Sequence, residues 1–268
     1  MSQERSVRIV AVPTAPVLKA PHGGSSLVTE ALLGERVLIE ESGCDLVKAE
    51  LEEDGYVGHM AAETLALPGP VPTHRIIVPK TFRFSAPDIK SRVLGSLYLN
   101  CRVAVSEEDG EERFARLEGG GCVLKAMIAP LGVAAGDPAA VAEDFVGVPY
   151  LWGGKSYEGI DCSGLVQLAL QASSIKAPRD SHMIEAAVGM PLEGASEASL
   201  RRGDLVFWKG HVGMMLDEKR IIHANGHHMK VVIEPLSMTI ARIAALGGGM
   251  VTSVRRIGSG QLAVGNRQ

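Results

Sequence analysis

Shifted against itself by the 66 positions that carry Gly55 onto Gly121, the chain overlays itself across residues 7–131, and this internal repeat restricts its fold more than any other feature. Leu33-Gly34-Glu35-Arg36-Val37 falls on Leu99-Asn100-Cys101-Arg102-Val103, Ala49-Glu50-Leu51 on Ala115-Arg116-Leu117, Gly55-Tyr56-Val57 on Gly121-Cys122-Val123, and Ala20-Pro21 on Ala86-Pro87. Each copy offers short alternating runs, such as 36–40 and 102–105, between polar turn clusters at 52–55 and 107–110. The pattern predicts two small β-barrels, residues 1–69 and a degenerate copy at 70–131. Cys44, Cys101 and Cys122 fall opposite Gly110, Glu35 and Tyr56, so no cysteine is a repeated feature, and all three read as ordinary core or surface thiols.

A small-residue linker, Gly132-Val133-Ala134-Ala135-Gly136, separates the repeat from a third domain, 132–258, with 259–268 as a loose tail. Asp137 and Pro138 predict the cap and first residue of a short helix ending near Gly147. The stretch from Tyr150 to Gln171 then reads as a loop, turned at Gly153, Gly154 and Gly159, that delivers Cys162 to the start of a second helix. Leu165, Leu168, Ala169 and Ala172 recur at intervals of three and four and predict one apolar face. At a helix start the unpaired N–H groups and the dipole favour a thiolate, which suits a nucleophile. A cysteine beside an apolar helix is also an ordinary packing residue.

Strands are predicted at 204–208, 211–216, 220–224 and 230–233, an antiparallel set. If Asp217-Glu218-Lys219 is a three-residue hairpin loop, Gly213 faces His223 and Asn225 faces His211. His211 and His223 then share a sheet face as diagonal neighbours about 7–8 Å apart, within reach of two imidazoles that lean together. A strand histidine is otherwise a half-buried, satisfied residue, and His227 and His228 beside Asn225-Gly226 read as a polar turn.

A net charge of -4 with mixed signs gives no field for nucleic acid. No apolar run approaches the roughly 18 residues of a membrane helix, and the N-terminus lacks a signal-peptide pattern, so the expectation is a cytoplasmic protein with no membrane partner. Four cysteines without a CxxC predict neither a disulfide framework nor a zinc ribbon; no metal and no cofactor are expected.

Four blocks resemble the NlpC/p60 family of cysteine peptidases, which cut bacterial cell-wall peptides. They are Gly147-Val148-Pro149-Tyr150-Leu151-Trp152-Gly153-Gly154, Asp161-Cys162-Ser163-Gly164-Leu165-Val166-Gln167, Gly203-Asp204-Leu205-Val206-Phe207, and His211-Val212-Gly213 with Ile222-His223-Ala224. Leu33-Gly34-Glu35 and Asp54-Gly55-Tyr56-Val57-Gly58 resemble a bacterial SH3-like domain. The resemblance implies an α+β chain: two SH3-like barrels, then a papain-like domain with the nucleophile helix packed on an antiparallel sheet.

It also implies roles. Cys162 is the nucleophile, His211 its base, and His223 the residue that orients His211, with Asn225 as the rival orienter. Tyr150, Trp152, Asp161 and Ser163 match positions that hold the free amino end of the substrate in the γ-D-glutamyl-L-diamino acid endopeptidase branch. Arg179-Asp180-Ser181 resembles a further segment of that branch, where a glutamine commonly follows the methionine; this chain has Ile184. Arg179 and Asp180 are therefore possible site residues or an ordinary ion pair. By the same analogy the barrels pack on the catalytic domain, and Tyr56 or Asp54 reaches the cleft. The implied substrate is a murein peptide, L-Ala-γ-D-Glu-diamino acid. A catalytically dead peptide-binding protein and an amidase or acyltransferase on the same scaffold remain open.

Overall fold

The computed structural model describes residues 5–22, 24–40, 45–106, 113–194 and 199–258; Cys44, the turn at 107–110 and the tail at 259–268 lie outside the described residues. The chain divides into two compact units, Met1–Val133 and Ala134–Gln268.

In the first unit the leading repeat forms β1 (Arg5–Val10), β2 (Thr14–Leu18), β3 (Leu27–Leu32), β4 (Arg36–Glu40), β5 (Leu46–Leu51), β6 (Val57–Ala61) and β7 (Leu65–Ala66). They make one antiparallel sheet in the order β3-β2-β6-β5-β4-β1-β7. The alternation in sequence becomes alternation in burial: Val47, Ala49 and Leu51 of β5 point inward while Lys48 is exposed. These side chains join Val10, Val37, Ile39 and Met60 in one core, and Tyr56 packs half-buried against it.

The second repeat forms β8 (His74–Ile76), β9 (Lys80–Phe84), β10 (Val93–Tyr98), β11 (Arg102–Val103), β12 (Phe114–Arg116), β13 (Cys122–Leu124) and β14 (Ile128–Pro130). These split into a four-stranded sheet, β10-β9-β13-β12, and a three-stranded one, β11-β8-β14. Phe84, Phe114 and Cys122 form its cluster, and Cys101 and Cys122 are both buried.

The repeat is a repeat of backbone turns. Leu33 N–H donates to Pro13 O at 3.2 Å and Leu99 N–H to Pro79 O at 3.3 Å; Gly34 N–H donates to Val10 O and Asn100 N–H to Ile76 O, both at 3.0 Å. Gly34 and Asn100 hold φ of 82° and 67°, a left-handed conformation that glycine adopts freely and asparagine tolerates. Ser25 Oγ accepts from Ala20 N–H as Ser91 Oγ accepts from Ala86 N–H. After Gly121 the correspondence slips. The matching 3₁₀ turns, Ala62–Thr64 and Lys125–Met127, lie 63 positions apart, so the second copy is three residues shorter.

The two copies meet at the Gly34 turn, where Arg102 N–H donates to Leu33 O at 2.8 Å and the Arg102 guanidinium pairs with Glu53. A Cβ on Gly34 would sit 2.5 Å from Arg102 O, whereas one on Gly55, at φ 72°, would meet nothing within 4 Å. Gly55→Ala should therefore cost only the left-handed strain, about 1–2 kcal/mol. Gly34→Ala should cost that strain and a backbone collision as well. Urea midpoints of both variants test this, and equal losses would contradict it.

The second unit contains α1 (Pro138–Glu143), β15 (Lys155–Ser156), β16 (Gly159–Ile160), α2 (Cys162–Ala172), α3 (Ser181–Ala187), β17 (Met190–Pro191), β18 (Leu205–Trp208), β19 (His211–Met215), β20 (Arg220–Asn225), β21 (Lys230–Pro235), α4 (Leu236–Ala245) and β22 (Ser253–Arg256). Its main sheet is antiparallel, in the order β17-β22-β18-β19-β20-β21. Asp137 caps α1, accepting Ala139 N–H at 2.9 Å, but α1 ends at Glu143 rather than near Gly147. The chain leaves the helix to bury Phe145 and to let Gly147 N–H reach Val231 O.

Helix α2 packs against α1, β19 and β20. Instead of one apolar face, ten of its eleven residues are buried, because Val166 and Leu170 fill the sides that the three-four pattern leaves open. The β19–β20 hairpin pairs Met214 with Ile222, and Leu216 N–H donates to Arg220 O at 2.8 Å, which sets Gly213 opposite His223.

Candidate active site

Asp161 occupies the N-cap of α2 and its Oδ1 accepts Gly164 N–H at 2.7 Å, so Cys162 is the first helical residue. The rest of the carboxylate is spent nearby. Oδ2 accepts Gly153 N–H at 2.9 Å, Ser163 Oγ donates to Oδ1 at 3.2 Å, and Arg179 closes a fork on both oxygens at 2.9 and 2.7 Å. Arg179 also donates to Ser163 Oγ at 2.8 Å and to Gly154 O at 3.2 Å.

Arg179 is thus a buried partner of Asp161, eighteen residues away in sequence, with the neighbouring Asp180 adding to the field that stabilises its charge. Asp180 sits at the N-cap of α3 and makes no side-chain cap bond there. Ile184, the residue after Met183, is fully buried. Five donors on one carboxylate exceed its roughly four lone-pair positions, which leaves Asp161 little capacity as an open clamp for an amine.

Cys162 is 7% exposed. Its sulfur accepts backbone N–H groups of Val212, the neighbour of His211 on β19, and of Ser163. Burial pushes the thiol up to about 12 and the Asp161 charge adds to this; the two N–H groups and Arg179 work the other way. Burial thus opposes the thiolate that the helix start favours. Tyr150 is half-buried, and burial, then the charges of Cys162 and Asp161, push its phenol up, which keeps its hydroxyl neutral. Trp152 is 65% exposed.

His211 and His223 meet as the hairpin geometry required, with Nε2 of His211 2.8 Å from Nδ1 of His223. Gly213 makes room between them: a Cβ there would lie 3.3 Å from His223 Cβ and 2.6 Å from Ile221 Cδ1. With Nε2 occupied, Nδ1 is the nitrogen of His211 left to serve a thiol. Burial, His223 and Arg242 pull His211 down to about 3 against the raising effect of Glu234. Both shifts favour the uncharged forms, a neutral thiol and a neutral imidazole.

Asn225 does not take the orienting role. Its Oδ1 accepts His228 N–H at 2.8 Å, and its Nδ2 lies 3.1 Å from His223 Nε2. His223 instead continues to a residue outside the motifs, Glu234, whose Oε2 is 2.7 Å from His223 Nε2 and 2.5 Å from the Arg242 guanidinium. Val232 pairs with His223, so Glu234, two positions on, is diagonal to it on the same face; that register was the available signal. Among the described residues no group of three or more His, Cys, Asp or Glu side chains is arranged to hold a metal ion, and no helix is long and apolar enough to cross a membrane.

A cysteine on the first turn of a buried helix, laid against a strand whose histidine is held by a second histidine, defines a cysteine hydrolase of the papain-like architecture. Residues 147–246 match the NlpC/P60 family and residues 17–65 the bacterial dipeptidyl-peptidase SH3 domain. The chain thus combines an NlpC/P60 domain with a bacterial dipeptidyl-peptidase SH3 domain. The chain is 26% identical over 232 residues to the γ-D-glutamyl-L-lysine dipeptidyl-peptidase of Bacillus subtilis, 79% of this chain and 77% of that one. It is 37% identical to dipeptidyl-peptidase 6 of Lysinibacillus sphaericus over 84 residues, and spans only 30% of that relative's length. A crystal structure of an NlpC/P60 family protein from Bacillus cereus has the same fold, with a TM-score of 0.76 over 94% of this chain and 99% of that one at 23% identity.

Two outcomes are expected. Because the thiol is held protonated, Cys162 alkylation by iodoacetamide should climb about tenfold per pH unit from pH 7 to 10, without the plateau near pH 6 that an ion pair produces. Because Arg179 is buried on Asp161, Arg179→Ala should destabilise the protein by about 3–5 kcal/mol by chemical denaturation. Arg179→Lys should recover only part of this, since a single ammonium cannot reproduce the fork.

Proposed function

We propose that this protein is a cysteine endopeptidase that hydrolyses the γ-D-Glu–diamino acid bond of murein peptides with a free N-terminal L-Ala, and that it works in the cytoplasm to recycle cell-wall peptides. The observation that supports the chemistry is the His211–His223 contact, made on the two strands against which the Cys162 helix packs. The named activity of the Bacillus subtilis relative, matched along most of both chains, supports the bond. A dead binding protein would have no use for such a base.

In this reading Cys162 gives its proton to His211 as its sulfur attacks the γ-carbonyl of D-Glu. The oxyanion meets the N–H groups at the start of α2 and the neutral hydroxyl of Tyr150. His211 then passes the proton to the leaving amine of the diamino acid. Water, deprotonated by His211, releases L-Ala-D-Glu and restores the thiol.

The α-ammonium of L-Ala is received by Tyr150 and by the free lone pair of Ser163, with the Asp161–Arg179 pair holding that serine in place and Trp152 covering the entrance. Mass spectrometry of the protein with L-Ala-γ-D-Glu-meso-diaminopimelate tests this. L-Ala-D-Glu is expected from wild type and none from Cys162→Ala. N-acetylation of the alanine should remove most of the rate, and equal rates on both peptides would overturn the amine requirement.

A further inference from the structure

We propose that Glu234 is a positioning residue for this reaction, acting through His223 to decide which nitrogen of His211 faces the thiol as a base. The inference rests on the assignment of Cys162 and His211 above, but not on the identity of the peptide.

His223 is enclosed by groups from four elements: His211 on β19, Asn225 on its own strand with His228 just beyond, Glu234 on β21, and Arg242 on α4. Two of them make opposite demands on one atom. Asn225 turns its Nδ2 toward His223 Nε2 at 3.1 Å, because its Oδ1 is taken by the N–H and Nδ1 of His228. That amide would donate to a lone pair. Glu234 Oε2, at 2.7 Å, accepts only, and so requires a proton on the same nitrogen. The carboxylate is nearer and charged, and charge-assisted bonds are roughly twice as strong as neutral ones. The bond from His223, with Arg242 also pairing, holds Glu234 down at about 2, so it stays ionised at any working pH. His228 Nε2, 3.8 Å from Glu234 Oε1, adds to this when protonated.

The consequence runs outward along the rings. With its proton on Nε2, neutral His223 presents a lone pair at Nδ1. The facing Nε2 of His211, 2.8 Å away, must carry a hydrogen. Neutral His211 then has its only lone pair on Nδ1, the form that can accept a thiol proton. If Glu234 loses its charge, the Asn225 amide prevails and His223 moves its proton to Nδ1. That proton is donated to His211 Nε2, and the proton of His211 is displaced to Nδ1, where it blocks deprotonation of Cys162. When His211 does take the thiol proton, Glu234 also offsets the imidazolium charge from one ring away.

The test is Glu234→Gln, which keeps the side-chain shape. In protein labelled with ¹⁵N-histidine, two-bond ¹H–¹⁵N correlations at pH 7 report the tautomer without any substrate. Wild type should show His211 protonated at Nε2, and Glu234→Gln should shift it toward Nδ1. On the peptide, kcat should fall roughly ten- to a hundredfold with KM little changed, a milder version of the about 10⁴-fold loss when a triad carboxylate of a serine protease is neutralised. Arg242→Gln should move both readouts in the same direction by less.

An Nδ1-protonated His211 in wild type, or a tautomer unchanged in Glu234→Gln, would overturn the proposal. If wild type shows the expected tautomers but does not cut the peptide, the substrate assignment fails and the role of Glu234 in setting the base stands.

Discussion

The Asp161–Arg179 contact is the interaction on which the rest of the site depends. Arg179 donates to the Asp161 carboxylate, to the Ser163 hydroxyl and to the carbonyl of Gly154 in the preceding loop. Cys162 lies between two residues that one guanidinium fixes, and the N–H of Gly153 is held by the same carboxylate. Such a pair contributes little net stability over an apolar substitute, since desolvating two charges consumes most of the Coulombic gain. Its value is geometric, because the loop, the cap and the first turn of α2 cannot shift independently.

The electrostatics of the nucleophile follow from competing magnitudes. A helix start favours a negative charge by about 0.3–1 kcal/mol when exposed and up to ~2 kcal/mol when partly buried. Raising a thiol from 9.0 to about 12 corresponds to about 4 kcal/mol against the thiolate. Burial wins, and charge separation is deferred to the moment of attack. The helix N–H groups then act where charge develops, on the oxyanion, and the ordered histidine pair supplies a base that does not need to be charged beforehand.

Much of this arrangement was legible in the sequence because it is local. Asp161-Cys162-Ser163-Gly164 marks the nucleophile, and a three-residue loop at 217–219 fixes a register that brings His211 to His223. The repeat was legible because turn geometry constrains residue type, as Gly34 and Asn100 illustrate. What stayed hidden depends on distant or terminal positions. Arg179 has a charged neighbour in sequence that is not its fork partner. Glu234 sits just past the end of the apolar run that marks β21, where a charged residue reads as the strand's exposed end. Strand β22, Ser253-Val254-Arg255-Arg256, has one apolar residue and follows a glycine run; its place comes from pairing with β18, a contact without a local signature.

The burial of Cys162 also bears on how the protein meets oxidants. Peroxides attack the thiolate, and the ladder from sulfenic to sulfonic acid begins only where that anion is available and exposed. A nucleophile that is 7% exposed, its anion disfavoured by burial, presents little of it. The feature that makes the thiol depend on His211 for activation thus also shields it between turnovers, so its chemistry is released by a substrate in place and not by the redox state of the surroundings.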